Sequence, residues 1–381
     1  MKKMNMGLAG LAGFLALCLH CPAQAQIGVG PTLNPAFCNQ PTQRETVAYI
    51  DDMSLVEGKT EWAQKLVTKL ISSLTPGERV AVVQISPASG QSKAIWSGCW
   101  PDYNAEQRSQ IGSQHYIFSK NPLDGLKEQQ ALFQGYIGQA LTKIYTESKR
   151  PQGQVRFTPD NAPKKQILRA LASDEGRYSS TQKTIRAVIY SDMMENSDLG
   201  SVYAPLPEKF PNYGERLGSR FRHGVFYAFG VAGNVDNSTN LPEKARTFWT
   251  HALEMMSASA AGFGSDLVIE NRVPVASYVF DLKTALGDDK LEGKMSLLVD
   301  RDGALIDSWI GFDRLSIVGL TGKFKCDGEN CLLDGSTARG LVTKSDTDTV
   351  QLSGKQTDLS GQIGVRSTKQ LFELRAVLPR T

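Results

Sequence analysis

Two short apolar runs in this chain stop abruptly at acids and hydroxyls, about 140 residues apart. The first is Thr46-Val-Ala-Tyr-Ile-Asp-Asp-Met-Ser54, and the second is Ile185-Arg-Ala-Val-Ile-Tyr-Ser-Asp-Met-Met-Glu-Asn-Ser197. Carboxylates beside hydroxyls are hard oxygen donors, the type that holds a small divalent cation. The competing explanation is plain architecture, in which the acids cap helices and close loops at the edge of a sheet.

Continuous apolar runs of this length read as strands buried on both faces of a parallel sheet. In open α/β sheets, ligands bind beyond the carboxyl ends of the strands, where both acidic runs stop. The surrounding pattern supports such a sheet. Trp62, Leu66, Leu70, Ile71 and Leu74 recur at helical spacing, Thr75-Pro-Gly breaks that helix, and Arg79 to Ile85 is the next strand. Further helices are predicted around Leu126 to Tyr145, Lys164 to Ala172 and Pro242 to Ser257, with a strand over Gly224 to Val231. The segment after Ile85, which holds Cys99 and Trp100, reads as a long polar connection.

From about residue 270 the period changes to two, as in Val275 to Phe280, Lys294 to Val299 and Ala304 to Ile310. The fold class expected is therefore α/β, a doubly wound, mostly parallel sheet, followed by a smaller all-β domain, a sandwich or partial barrel. The divisions are 1–25 signal peptide, 26–44 polar arm, 45–268 α/β domain and 269–381 β domain.

The signal peptide rests on Lys2 and Lys3, the apolar Leu8 to Leu19 and Ala23-Gln-Ala25. Its removal takes the formal net charge from +3 to +1, because both lysines leave and no acid does. That balance gives no reason to expect nucleic acid, and no later stretch is apolar enough to span a bilayer. The expected location is the periplasm, with secretion as the alternative. Export suits disulfides. Cys326 and Cys331 flank the turn residues Asp-Gly-Glu-Asn and are paired across a hairpin; Cys38 and Cys99 are paired by subtraction. No second Cys-x-x-Cys and no histidine cluster supports zinc.

The α/β region resembles the von Willebrand factor A (vWA) type fold over roughly residues 45 to 268. The resemblance rests on Asp52-Met-Ser54 after the first strand, Pro-Gly-Glu-Arg-Val80 leading into the second, Ser191-Asp192 after a later one, and the Phe248-Trp249 helix. That family's first strand ends in an Asp-x-Ser-x-Ser loop which, with a threonine and a further aspartate, ligates Mg2+ or Mn2+; a partner's carboxylate completes the shell. Carried over, the resemblance implies a metal site of Asp52, Ser54, Asp192 and Thr158, the last in Arg-Phe-Thr-Pro-Asp160, with Asp51 as the register alternative to Asp52. The third loop position is Val56, which has no oxygen to offer, so the site is degenerate.

The resemblance implies a non-enzymatic module that binds a protein partner, through an acidic side chain if a cation is held. The alternatives are a structural subunit of an envelope or secretion assembly with a vestigial metal site, and a metal-dependent hydrolase. The hydrolase would need a general base and a pocket that the sequence does not display. Other motifs read as architecture. His115, His223 and His251 are isolated, and no Gly-x-Ser-x-Gly elbow accompanies them. Gly58-Lys59-Thr60 lacks the upstream glycine of a phosphate loop. Met193-Met194 and Met255-Met256 read as packing, Arg220-Phe-Arg-His223 as a solvated approach to a strand, and Asp300-Arg-Asp-Gly303 as a hairpin turn.

Overall fold

A computed structural model describes residues 32–42, 44–116, 120–148, 157–158, 160–179, 183–218, 220–233, 240–286, 289–313, 317–341, 347–365 and 370–379. The expected signal peptide and the first residues of the arm lie outside these.

The α/β part is a six-stranded sheet of β1 (Arg44–Asp51), β2 (Arg79–Ser86), β3 (Gln91–Cys99), β4 (Thr184–Tyr190), β7 (Gly224–Phe229) and β8 (Ser259–Gly264). A two-residue hairpin pairs β5 (Asn196–Ser197) with β6 (Gly200–Ser201). Sheet order is β3-β2-β1-β4-β7-β8, parallel except for β3. The chain thus winds outward in one direction from β1 and in the other from β4. The gap between their carboxyl ends is the topological switch point, where the connections leave to opposite sides and open a crevice.

Both faces are covered. On one, α1 (Glu61–Ile71) and the long helix α3 (Leu126–Glu147) bury Trp62, Leu66, Leu70, Phe133, Ile137 and Ile144 against Ala48, Ile50, Val80 and Val82. On the other, α4 (Ile167–Ala172), α5 (Gly176–Ser179), α6 (Tyr213–Leu217) and α7 (Leu241–Met255) meet Val47, Tyr49, Ala187 and Phe226. The alternation of odd and even strand residues between two cores is what makes Val47–Ile50 of β1 and Ala187–Ile189 of β4 continuously apolar. The polar helix α2 (Ala105–Ser113) buries none of its residues and carries a capping box from Asn104 and Gln107.

The predicted polar connection after Ile85 is instead β3. It is an antiparallel edge strand, mostly exposed or half-buried, so it carries none of the apolar continuity that marks the inner strands. Disulfide Cys38–Cys99 ties the arm to its end. Beside it, Gly77 turns the chain into β2 at φ +71°. A Cβ there would meet Gln40 Cβ at 2.7 Å and the Phe37 carbonyl at 2.8 Å, so only glycine fits.

The β part is a closed eight-stranded antiparallel barrel, β9 (Ala276–Leu286), β10 (Asp289–Val299), β11 (Leu305–Phe312), β12 (Val318–Asp327), β13 (Asn330–Thr337), β14 (Asp348–Lys355), β15 (Asp358–Val365) and β16 (Gln370–Val377). The expectation of a sandwich or partial barrel is corrected. β9 and β10 are eleven residues each, and β9 pairs with both β10 and β16, which closes the ring. Phe280, Met295, Leu297, Ile310, Leu333 and Leu352 fill the interior. Cys326 and Cys331 face each other across the β12–β13 hairpin and are bonded, as its turn residues led us to expect.

The two parts touch at the amino ends of the central strands. Asp307 of β11 accepts hydrogen bonds from Arg44 at 2.6 Å and from the Tyr227 hydroxyl at 2.6 Å. The Thr184 and Ser296 hydroxyls meet at 3.2 Å, His223 lies against Trp309, and Arg339 pairs with Glu254.

Candidate functional site at the switch point

Asp51 is the last residue of β1, and Ser191 and Asp192 follow the last residue of β4, which β1 pairs through Ile50 and Tyr190. The parallel register therefore brings the two acids to the same crevice from distant parts of the chain. Between their carboxylates stands an amine. Lys165 Nζ lies 2.7 Å from Asp51 Oδ2, 2.5 Å from Asp192 Oδ1 and 2.9 Å from Ser54 Oγ. Its three protons thus meet three oxygens, which satisfies an ammonium completely.

The oxygens are themselves fixed. Ser54 and Ser191 hydroxyls donate to Asp51 Oδ2 at 2.7 and 2.6 Å, and the Met53 N–H donates to Asp51 Oδ1 at 2.9 Å. The Asp192 N–H donates to Ser54 Oγ, and the Met194 N–H to Asp192 Oδ1, both at 3.0 Å. Asp51 and Ser191 are completely buried, Asp192 and Lys165 are each 3% exposed and Ser54 is 6% exposed.

Lys165 is placed by its own backbone. It exchanges two hydrogen bonds of 2.9 Å with Asn196, an isolated bridge just ahead of α4. Glu195 accepts the Leu168 N–H at 2.9 Å and the Ser197 hydroxyl at 2.5 Å, anchoring the first turn of α4 to the loop after β4. In that loop Met193 adopts φ +56°, an uncommon conformation for a residue with a side chain, and its carbonyl accepts the Trp249 indole at 2.7 Å. The Phe248-Trp249 helix therefore pins the loop that carries Asp192.

Burial by itself would lower the Lys165 pKa, but the charges of Asp192 and Asp51 and their hydrogen bonds more than offset this, and the amine is held above its ordinary range. It is an ammonium and a poor base or nucleophile. The surrounding field is negative: burial, then Asp51 and Asp192, push the Tyr190 hydroxyl up to about 12. Burial and Asp192 do the same to Tyr203, also to about 12. Glu195, buried beside them, is pushed up to about 7, with burial as the main cause.

Of the residues named from sequence, the structure brings together Ser54, Asp192 and the register alternative Asp51. Asp52 belongs elsewhere: its Oδ2 accepts the Gln84 amide at 3.0 Å and the Ser86 hydroxyl at 2.5 Å. It follows Asp51 on a 3-10 turn, which turns it toward β2. Thr158 is exposed, and its backbone and hydroxyl both bond to Asn161. Val56 is half-buried and supplies no oxygen. Lys165 went unread, although the missing third oxygen at Val56 was a signal that something other than a metal shell is built here.

The vWA resemblance implies Mg2+ or Mn2+, and the residues present do not fit one. An ion about 2.1 Å from Asp51, Asp192 and Ser54 would coincide with the lysine ammonium that already bonds all three. Among the described residues no group of three or more His, Cys, Asp or Glu side chains is arranged to hold a metal.

No family model matches the sequence, and no curated protein does. Among solved structures, the chain is similar to the ArnB paralog VWA2 from Sulfolobus acidocaldarius, with 9% identity and a TM-score of 0.33 over 82% of this chain and 65% of that one. It is also similar to the human COPII-coat protein Sec24c, with 10% identity and a TM-score of 0.29 over 89% of this chain and 44% of that one. The chain thus spans less than two thirds of either protein. At these scores neither likeness carries an argument, and the α/β architecture rests on its own strand order.

Proposed function

We propose that this chain is an exported, non-catalytic binding module that receives a protein partner on the face over the carboxyl ends of β1 and β4, as a subunit of an envelope assembly. One observation carries the reading. The crevice where α/β sheets take their ligands is filled by the chain's own lysine, so the surface above it is left to act as a shaped, pre-formed face. A buried ammonium with a raised pKa is unsuited to acid–base or nucleophilic work, which weighs against the hydrolase alternative.

The loop after β1 forms the rim of this face. It exposes Glu57 and Lys59, and its Gly58 N–H is held by the Tyr145 hydroxyl at 2.8 Å. Partner binding then depends on surface complementarity, and the barrel serves as a second platform or a spacer. Two disulfides agree with export, and among the described residues no helix is long and apolar enough to cross a membrane.

The test is capture of partners by the tagged mature chain from its native envelope, with and without chelator, beside a Glu57→Arg/Lys59→Glu variant. Capture that survives chelator and is lost in the rim variant supports the reading. Loss in chelator restores a cation bridge to the partner's acidic side chain. Capture indifferent to the rim moves the binding surface to the barrel.

A further inference from the structure

We infer that Lys165 is a tethered replacement for a divalent cation, and that removing its amine alone converts the crevice into a metal site. The inference rests on reading the switch-point crevice as a seat for positive charge.

Four oxygen-bearing side chains, Asp51, Ser54, Ser191 and Asp192, come from the carboxyl ends of β1 and β4 and the turns that follow them. Three bond Lys165 directly, and Ser191 donates to the same Asp51 oxygen that Lys165 contacts. They are held by bonds that do not involve the amine: Met53 N–H on Asp51, Met194 N–H on Asp192, Asp192 N–H on Ser54 and Met193 N–H on Ser191. These bonds fix the direction of each oxygen, while the amine supplies only the charge at the centre. Two buried carboxylates also cannot stand close together without a counter-charge. An amine on a flexible stem supplies it as a compact point charge, which a planar guanidinium would not. Truncating Lys165 to alanine removes the charge and opens a space lined by hard oxygens, with room for water to complete a shell for Mg2+ or Mn2+.

The experiment is Mn2+ titration of the mature protein, followed by electron paramagnetic resonance and by melting temperature. It compares the unmodified chain with Lys165→Ala, Lys165→Met and Lys165→Ala/Asp192→Asn. The expected result is one saturable Mn2+ per chain in Lys165→Ala, at least tenfold tighter than in any other form, and a melting temperature that rises with Mn2+ only there. Lys165→Met keeps the stem volume without the charge and binds none. Saturable, tight Mn2+ binding by the unmodified chain overturns the inference. So does a Lys165→Ala protein that folds and ignores Mn2+, or one that fails to fold with Mn2+ supplied throughout. Partner capture plays no part in the readout, so a failure here is distinct from a failure of the binding reading.

Discussion

Two buried ionic clusters sit at opposite ends of β1 and β4, and they are built from different cations. At the carboxyl end a lysine ammonium occupies the middle of an oxygen cage. At the amino end two arginines do the work. Arg44 grips Glu78 with two bonds of 3.0 Å, gives a third to the Ser73 carbonyl and reaches Asp307 of the barrel. Arg186 bonds Thr46 at 3.0 Å, Ser73 at 2.8 Å and Glu78 at 3.4 Å.

The side chains suit their tasks. A planar fork braces several groups in fixed directions and crosses from the sheet to the barrel, whereas an ammonium fills a point. Asp307 adopts φ +46° within a strand, a cost that the surrounding bonds to Arg44 and Tyr227 hold in place. The amino-end cluster joins two parts of the molecule, and the carboxyl-end cluster seals a crevice.

Breaking the arginine cluster has the largest expected effect. Glu78→Ala leaves two buried guanidiniums without their shared carboxylate, and should cost about 3–5 kcal/mol in urea unfolding. Burial alone would raise the Glu78 pKa, but Arg44 and Arg186 hold it at about 2. Its contribution is therefore full above the ordinary carboxylate pKa and is lost as pH falls from about 4.5 toward 2.

Glu195, next to the lysine cluster, has the opposite sign. Its folded pKa of about 7 lies above the unfolded value, so the folded state binds the extra proton and stability declines as pH rises from about 4.5 through 7. The decline is on the order of 3 kcal/mol. Glu195→Gln should flatten it, visible as urea midpoints that no longer fall between pH 5 and 8. A midpoint that falls equally in both proteins would assign the titration elsewhere.

Exchanging the cations sharpens the comparison. Lys165→Arg overfills the cage and Arg44→Lys loses the two-pronged grip, so each should cost about 2 kcal/mol despite keeping its charge. Unchanged stability in either would mean that only charge matters there. The smallest effect belongs to Asp52→Ala, within about 1 kcal/mol because it loses two partly exposed hydrogen bonds. Asp51→Ala, one residue away, should destabilise severely. Equal effects would reverse the register assigned here.

That β1 and β4 are inner parallel strands was legible in the apolar runs before their acidic ends, because a strand covered on both faces is apolar where it crosses the core. The sequence also placed acids at their ends, and it marked the change to period two where the barrel begins. Cys326 and Cys331 were legible because a hairpin turn lies between them. Edge strand β3 was not, since an exposed strand needs no apolar continuity.

The remaining features depend on contacts between distant parts of the chain. An apolar run does not tell which of two adjacent aspartates ends the strand; pairing with β4 and the 3-10 turn put Asp51 inside and Asp52 out. Nor does a lysine in Pro-Lys-Lys announce burial, because lysines are nearly always solvated. Lys165 is inside only because partners 114, 111 and 27 residues away in the chain, Asp51, Ser54 and Asp192, converge at one switch point and together outweigh the cost of burying its charge.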